Sequence, residues 1–70
     1  MTFSELKKTG IEDLCQKDAW KLESELRELG FTSDYGPCGL RLSQYAKGNL
    51  TQIFISEQNK YSGLITVRIL

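Results

Sequence analysis

Between Ile11 and Leu29 the apolar residues recur in helical steps. Ile11, Leu14, Cys15, Ala19, Leu22, Leu26 and Leu29 are separated by three, one, four, three, four and three residues. That is the spacing of one stripe on an α-helix. Charged residues fill most of the remaining positions, and Gly30 stands where a helix stops. Upstream, Thr2 with Glu5 and Thr9 with Glu12 both have capping-box spacing, and Asp18 is a third candidate cap ahead of Ala19. The pattern predicts a short helix from Phe3 to Lys8, then a longer one ending at Leu29. The break between them falls near Thr9-Gly10 or near Gln16 to Asp18. Trp20 points about 180° away from the stripe, counting ~100° per residue. Left wet, a tryptophan is costly, so it either packs on the first helical segment, on Phe3 or Leu6, or touches a partner.

After Gly30 the helical period disappears. Phe31 to Gly39 reads as a turn-rich connector, with Gly36 and Gly39 flanking Pro37 and Cys38. Its functional alternative is a shaped loop presenting Tyr35 and Cys38. The glycine spacing is not that of a phosphate-binding loop, and no Gly-Lys-Ser/Thr follows. Three strand-like runs come next, Gly39 to Tyr45, Leu50 to Ser56 and Tyr61 to Leu70. Lys47-Gly48-Asn49 and Gln58-Asn59-Lys60 supply the turns. Short links between consecutive strands imply an antiparallel meander. The expected fold class is therefore α+β, two-layer: an N-terminal helical region packed on a three-stranded antiparallel meander, in the order α-α-β-β-β. Leu14, Leu22, Leu26 and Leu29 would face Leu40, Leu42, Ile53, Ile55, Ile65, Val67 and Ile69 in one core.

Composition narrows the chemistry more than the fold. The 70 residues fit one domain, 1–70. Nine basic and nine acidic residues cancel, which argues against both a general polyanion binder and an acidic nucleic-acid mimic. Histidine is absent, removing the commonest general base and the commonest metal ligand. Cys15 and Cys38 fit no zinc spacing and are expected to be free thiols, as in intracellular proteins. No apolar run approaches the ~20 residues of a membrane span, and the N-terminus lacks a signal-peptide pattern, so a cytoplasmic location is expected. Glu23, Glu25 and Glu28 read as a solvated helix face with pairs such as Glu23–Arg27, not as a catalytic set. No catalytic residue, cofactor or metal is expected.

The surplus lies on the second face of the sheet. Alternation places Arg41, Gln52, Phe54, Leu64, Thr66, Arg68 and Leu70 there. One helical layer cannot cover both faces in so short a chain. Phe54, Leu64 and Leu70 make that face too apolar for indifferent solvent, and arginine beside an aromatic is common at interfaces. The candidate partner-binding residues are Arg41, Gln52, Phe54, Leu64 and Arg68, together with Trp20 and Tyr35.

Gly39 to Leu42 followed by Thr51 to Ile55 resembles, over less than half the chain, the helix-backed sheet of RelE/HigB-type ribonuclease toxins. The resemblance carries no diagnostic motif, and the toxins' N-terminal strand and basic excess have no counterpart in this reading. It implies Arg41, Lys47, Tyr61 and Arg68 as residues acting on RNA. The expected function is a non-enzymatic protein-binding or regulatory module, of the kind used as small bacterial or phage-type inhibitors and adaptors. An RNA-binding or RNA-cleaving domain using Arg41, Lys47 and Arg68 is the alternative. The expected partner is a protein, a second copy of the chain included; nucleic acid ranks behind it and a membrane is excluded.

Overall fold

The computed structural model describes residues 1–70. Helix α1 spans Phe3–Thr9. Thr2 caps it, its hydroxyl accepting from the Glu5 N–H at 3.3 Å and donating to Glu5 Oε1 at 3.2 Å. Gly10 ends it in the left-handed region, φ 80°, with its N–H donating to the Leu6 carbonyl at 2.7 Å.

That reversal sends the chain into a strand, not a second helix. β1 spans Ile11–Leu14 and pairs antiparallel with the last strand, from Ile11↔Arg68 to Leu14↔Ile65. Here the helical reading is overturned. A spacing of three puts Ile11 and Leu14 on one side of a helix but on opposite faces of a strand. Accordingly Leu14 is buried while Ile11 is 53% exposed on the far face.

Helix α2 covers Gln16–Glu28 and buries Ala19, Leu22 and Leu26. Leu29, expected in the core, is the C-cap residue and is 50% exposed. The helix ends in a Schellman turn: Phe31 N–H donates to the Leu26 carbonyl at 3.0 Å and Gly30 N–H to the Arg27 carbonyl at 3.1 Å, with Gly30 at φ 96°. This turn swings Phe31 inward to the place the stripe assigns to Leu29. Phe31 meets Phe3 edge-to-face at 5.6 Å, and Phe3 N–H donates to Glu25 Oε2 at 2.9 Å, tying α1 to α2.

The expected connector contains a strand. β2 spans Thr32–Gly36 and turns through Pro37-Cys38 into β3, Gly39–Ala46. Lys47 and Gly48, at φ 53° and 79°, turn β3 into β4, Asn49–Ser56. The final strand, β5, is Ile65–Ile69, shorter than the expected Tyr61 to Leu70. Asn59 holds the preceding residues as a turn, its Oδ1 accepting from the N–H groups of Tyr61 and Ser62 at 2.8 and 3.0 Å. The result is a five-stranded antiparallel sheet, order β1-β5-β4-β3-β2, in place of the three-stranded meander. The two edge strands are the two added ones, and β1 also supplies an N-terminal strand.

Both helices lie on one face of this sheet, against β1 and β5. The core between the layers is Leu6, Leu14, Ala19, Leu22, Leu26, Phe31, Leu40, Leu42, Ile53, Ile55, Ile65 and Val67, with Ile69 half-buried at its margin. No helix is long and apolar enough to cross a membrane.

Candidate interaction surface

Strand registers fix the composition of the face away from the helices. Across all five strands, Ile11, Arg68, Phe54, Arg41 and Asp34 are successive register partners and form one row. With strands about 4.8 Å apart, the two arginines stand about 10 Å from each other across Phe54. The next row on one side runs from Asp13 and Thr66 to Gly39 and Gly36. On the other side Gln52 and Ser43 are partners, and beyond them Tyr45 and Leu50. Leu64 and Leu70 join the same face by alternation with Ile65 and Ile69.

Phe54 is held in place by an absence. A Cβ on Gly39 would lie 3.1 Å from Phe54 Cζ and would collide with the Ile55 carbonyl. The ring therefore lies over bare backbone on the neighbouring strand. Gly39 is also at φ 149°, a conformation that favours glycine. Other polar side chains of the face satisfy one another: Thr66 Oγ1 donates to Asp13 Oδ1 at 2.6 Å, and Gln52 Nε2 to Ser43 Oγ at 3.4 Å. The arginines do not. The molecule's ion pair is Arg27–Glu23 on α2, at 3.1 Å; Arg41 and Arg68 are exposed and form no ion pair, with Asp34 the register partner of Arg41 at the edge of this face. Ile11, Tyr45, Leu50, Leu64 and Leu70 are exposed on this face as well.

Five of the sequence-derived candidates thus share one surface: Arg41, Gln52, Phe54, Leu64 and Arg68. Trp20 and Tyr35 do not belong to it. Trp20 is 61% exposed, and the ring that meets Phe3 edge-to-face is that of Phe31. Trp20 lines a groove of about 560 Å³ on the helix side, between α2 and the β2–β3 hairpin, with Tyr35 on the hairpin side and Leu40, Ile55 and Ile65 beneath. Glu23 and Glu57 are the ionisable groups of that groove besides Tyr35.

The residues of the RNA reading are not gathered. Lys47 is in the β3–β4 turn and Tyr61 is fully exposed in the loop before β5, while Arg41 and Arg68 lie in the central row. No group of histidine, cysteine or carboxylate side chains is placed to hold a metal. Cys15 and Cys38 are unpaired and exposed.

The sequence reading missed Ile11, Asp13 and Asp34 as members of the face. All three lie on the unrecognised edge strands. No family model matches the chain, and comparison with curated proteins and with solved structures returns no match.

Proposed function

We propose that this protein is a small non-enzymatic binding or regulatory module, an inhibitor or adaptor, that docks a protein partner on the open face of its sheet. The observation that carries this reading is the central row. An aromatic ring fixed over Gly39 is flanked by two exposed, unpaired arginines and surrounded by uncovered Ile11, Leu50, Leu64 and Leu70. Apolar side chains on a rigid sheet gain by burial, about 25 cal/mol per Å² before the costs of association. Arginines without internal partners add register and partner choice. The face is part of the folded sheet, so little ordering cost attaches to binding.

The test is affinity capture from a lysate of the source cells, with and without nuclease, using the parent, Phe54→Ala and Arg68→Glu. The expected outcome is a protein that survives nuclease with the parent and is lost with both variants, each of which still unfolds cooperatively. Capture that both variants retain in full would refute this face as the docking surface. Capture abolished by nuclease would transfer the face to the RNA reading, because Arg–Phe–Arg is also a stacking and phosphate-holding arrangement.

A further inference from the structure

The groove on the helix side of the sheet has walls and a charge that the docking face does not share. We propose that it binds a small organic cation, an alkylammonium or trimethylammonium head carried on an apolar body. The site lies on the other side of the sheet from the docking face and does not depend on it.

Both helices pack against β1 and β5. On the side of the β2–β3 hairpin a groove of about 560 Å³ is left between α2 and the hairpin, a volume in the ordinary range of small-ligand sites. Its floor is aliphatic. Leu40 and Ile55 are register partners on β3 and β4, and Ile65 is on β5 beside them. One wall is Trp20 on α2. The other is Tyr35 on β2, the register partner of Leu40. Both aromatic side chains are exposed.

The charged side chains lining the groove, Glu23 and Glu57, are both acidic, but they are not equivalent. Glu23 is paired with Arg27 at 3.1 Å, and the same guanidinium reaches Ser33 Oγ on β2 at 3.4 Å. That carboxylate is committed to a link between helix and hairpin. Glu57 forms no ion pair. Its backbone is fixed at both polar atoms: its N–H donates to the Cys38 carbonyl at 3.3 Å, and its carbonyl accepts from Ser56 Oγ at 3.1 Å. The groove therefore carries one uncommitted negative charge together with two aromatic rings.

That combination selects the ligand class. Aromatic faces attract cations through the ring quadrupole, and the carboxylate adds a charge of the same sign. The aliphatic floor gains by covering an apolar body. An anion meets Glu57 and is repelled. A calcium or magnesium ion needs about six oxygen ligands, more than one free carboxylate in an apolar groove supplies. A neutral apolar molecule fits the floor but leaves both the carboxylate and the ring quadrupoles unused. A quaternary ammonium has no N–H to satisfy, so it needs only the faces and the charge that are present.

The test titrates the protein with benzyltrimethylammonium and follows the emission of Trp20, the single tryptophan of the chain. Saturation should occur with a dissociation constant on the order of millimolar. Choline should bind at least about fivefold more tightly than its neutral carbon isostere, 3,3-dimethylbutan-1-ol, and phenylacetate should not bind. Glu57→Gln and Tyr35→Leu should each weaken benzyltrimethylammonium by about two- to fivefold. In Trp20→Leu the ligand is followed by its N-methyl proton resonance, whose upfield ring-current shift on binding should shrink. Phe54→Ala, on the docking face, should bind like the parent, so loss of the docking reading and loss of this one are told apart. Absence of saturation, equal affinity for choline and the neutral alcohol, or binding untouched by both Glu57→Gln and Tyr35→Leu overturns the proposal. A trimethyllysine peptide that binds about tenfold more tightly than benzyltrimethylammonium overturns the small-molecule ligand in favour of a modified side chain of another protein.

Discussion

Leu26 and Leu29 lie on the same stripe of the sequence, and truncating each to alanine should give opposite results. Leu26 is fully buried, and its carbonyl accepts the Phe31 N–H that closes the helix. Leu26→Ala removes apolar atoms from the junction of α2, Phe31 and the sheet and leaves a cavity, a loss of about 2–5 kcal/mol. At ~0.05–0.15 kcal/mol per residue, a chain of this length holds roughly 4–10 kcal/mol in total, so one methyl-for-isobutyl exchange removes a large part of it. Leu29 is 50% exposed, and its carbonyl is held from outside by Gln44 Nε2 at 2.7 Å, a contact that does not use its side chain. Leu29→Ala should therefore cost under about 1 kcal/mol. Urea unfolding followed by circular dichroism separates the two. With a slope of about 1 kcal/mol per molar, Leu26→Ala lowers the midpoint by about 2 M or more, whereas Leu29→Ala moves it by less than about 1 M. Equal shifts would refute the Schellman turn and return the chain to an uninterrupted stripe. An unchanged midpoint for Leu26→Ala would refute the layer contact itself.

Gly39→Ala should be among the most damaging glycine substitutions. Its Cβ would meet the Ile55 carbonyl and the Phe54 ring at a φ that alanine avoids, so a loss of about 2 kcal/mol or more is expected in the same urea assay; wild-type stability would remove the account of how Phe54 is held. Cys15 and Cys38 are both exposed and unpaired, so alkylation of the native chain without reductant should add two groups by mass, and recovery of a reducible, unmodified pair would contradict the structure. Trp20 faces solvent above the groove, so its emission should be quenched readily by acrylamide in the folded state and Trp20→Ala should cost under about 1 kcal/mol; a shielded tryptophan would place it back against α1.

The central strands were legible because alternation there is strong. Leu40 and Leu42, Ile53 and Ile55, Ile65 and Val67 each sit two apart, and every one of them is buried. The edges were illegible for two different reasons. β2 is Thr-Ser-Asp-Tyr-Gly, exposed throughout, so no contrast between its faces exists to be read. Its register comes from the hairpin with β3, which is tertiary information. β1 is too short to display a period, and its Ile11 and Leu14 fit the helical stripe that continues through Leu22 and Leu26. What separates them is Gly10, whose left-handed backbone ends one helix and whose carbonyl accepts from Ile69 N–H at 2.9 Å, across nearly the whole chain.

The open face was partly legible without the right number of strands, and the reason is one of counting layers. Parity alone assigns Arg41, Phe54 and Arg68 to the side opposite Leu42, Ile53 and Val67. The only segments able to form a covering layer are the two helices, and their buried apolar residues, Leu6, Ala19, Leu22 and Leu26, are committed to the other side. Adding β1 and β2 widens the sheet without adding a layer, so the wider sheet exposes more of the same face. What parity cannot supply is the order of strands across it. A simple three-stranded meander already places Arg41, Phe54 and Arg68 side by side, but only the five-stranded order sets Ile11 beyond Arg68 and Asp34 beyond Arg41. Those two neighbours change the chemistry of the row. With them, the positive centre has an apolar flank and an acidic flank, so the row reads differently in its two directions.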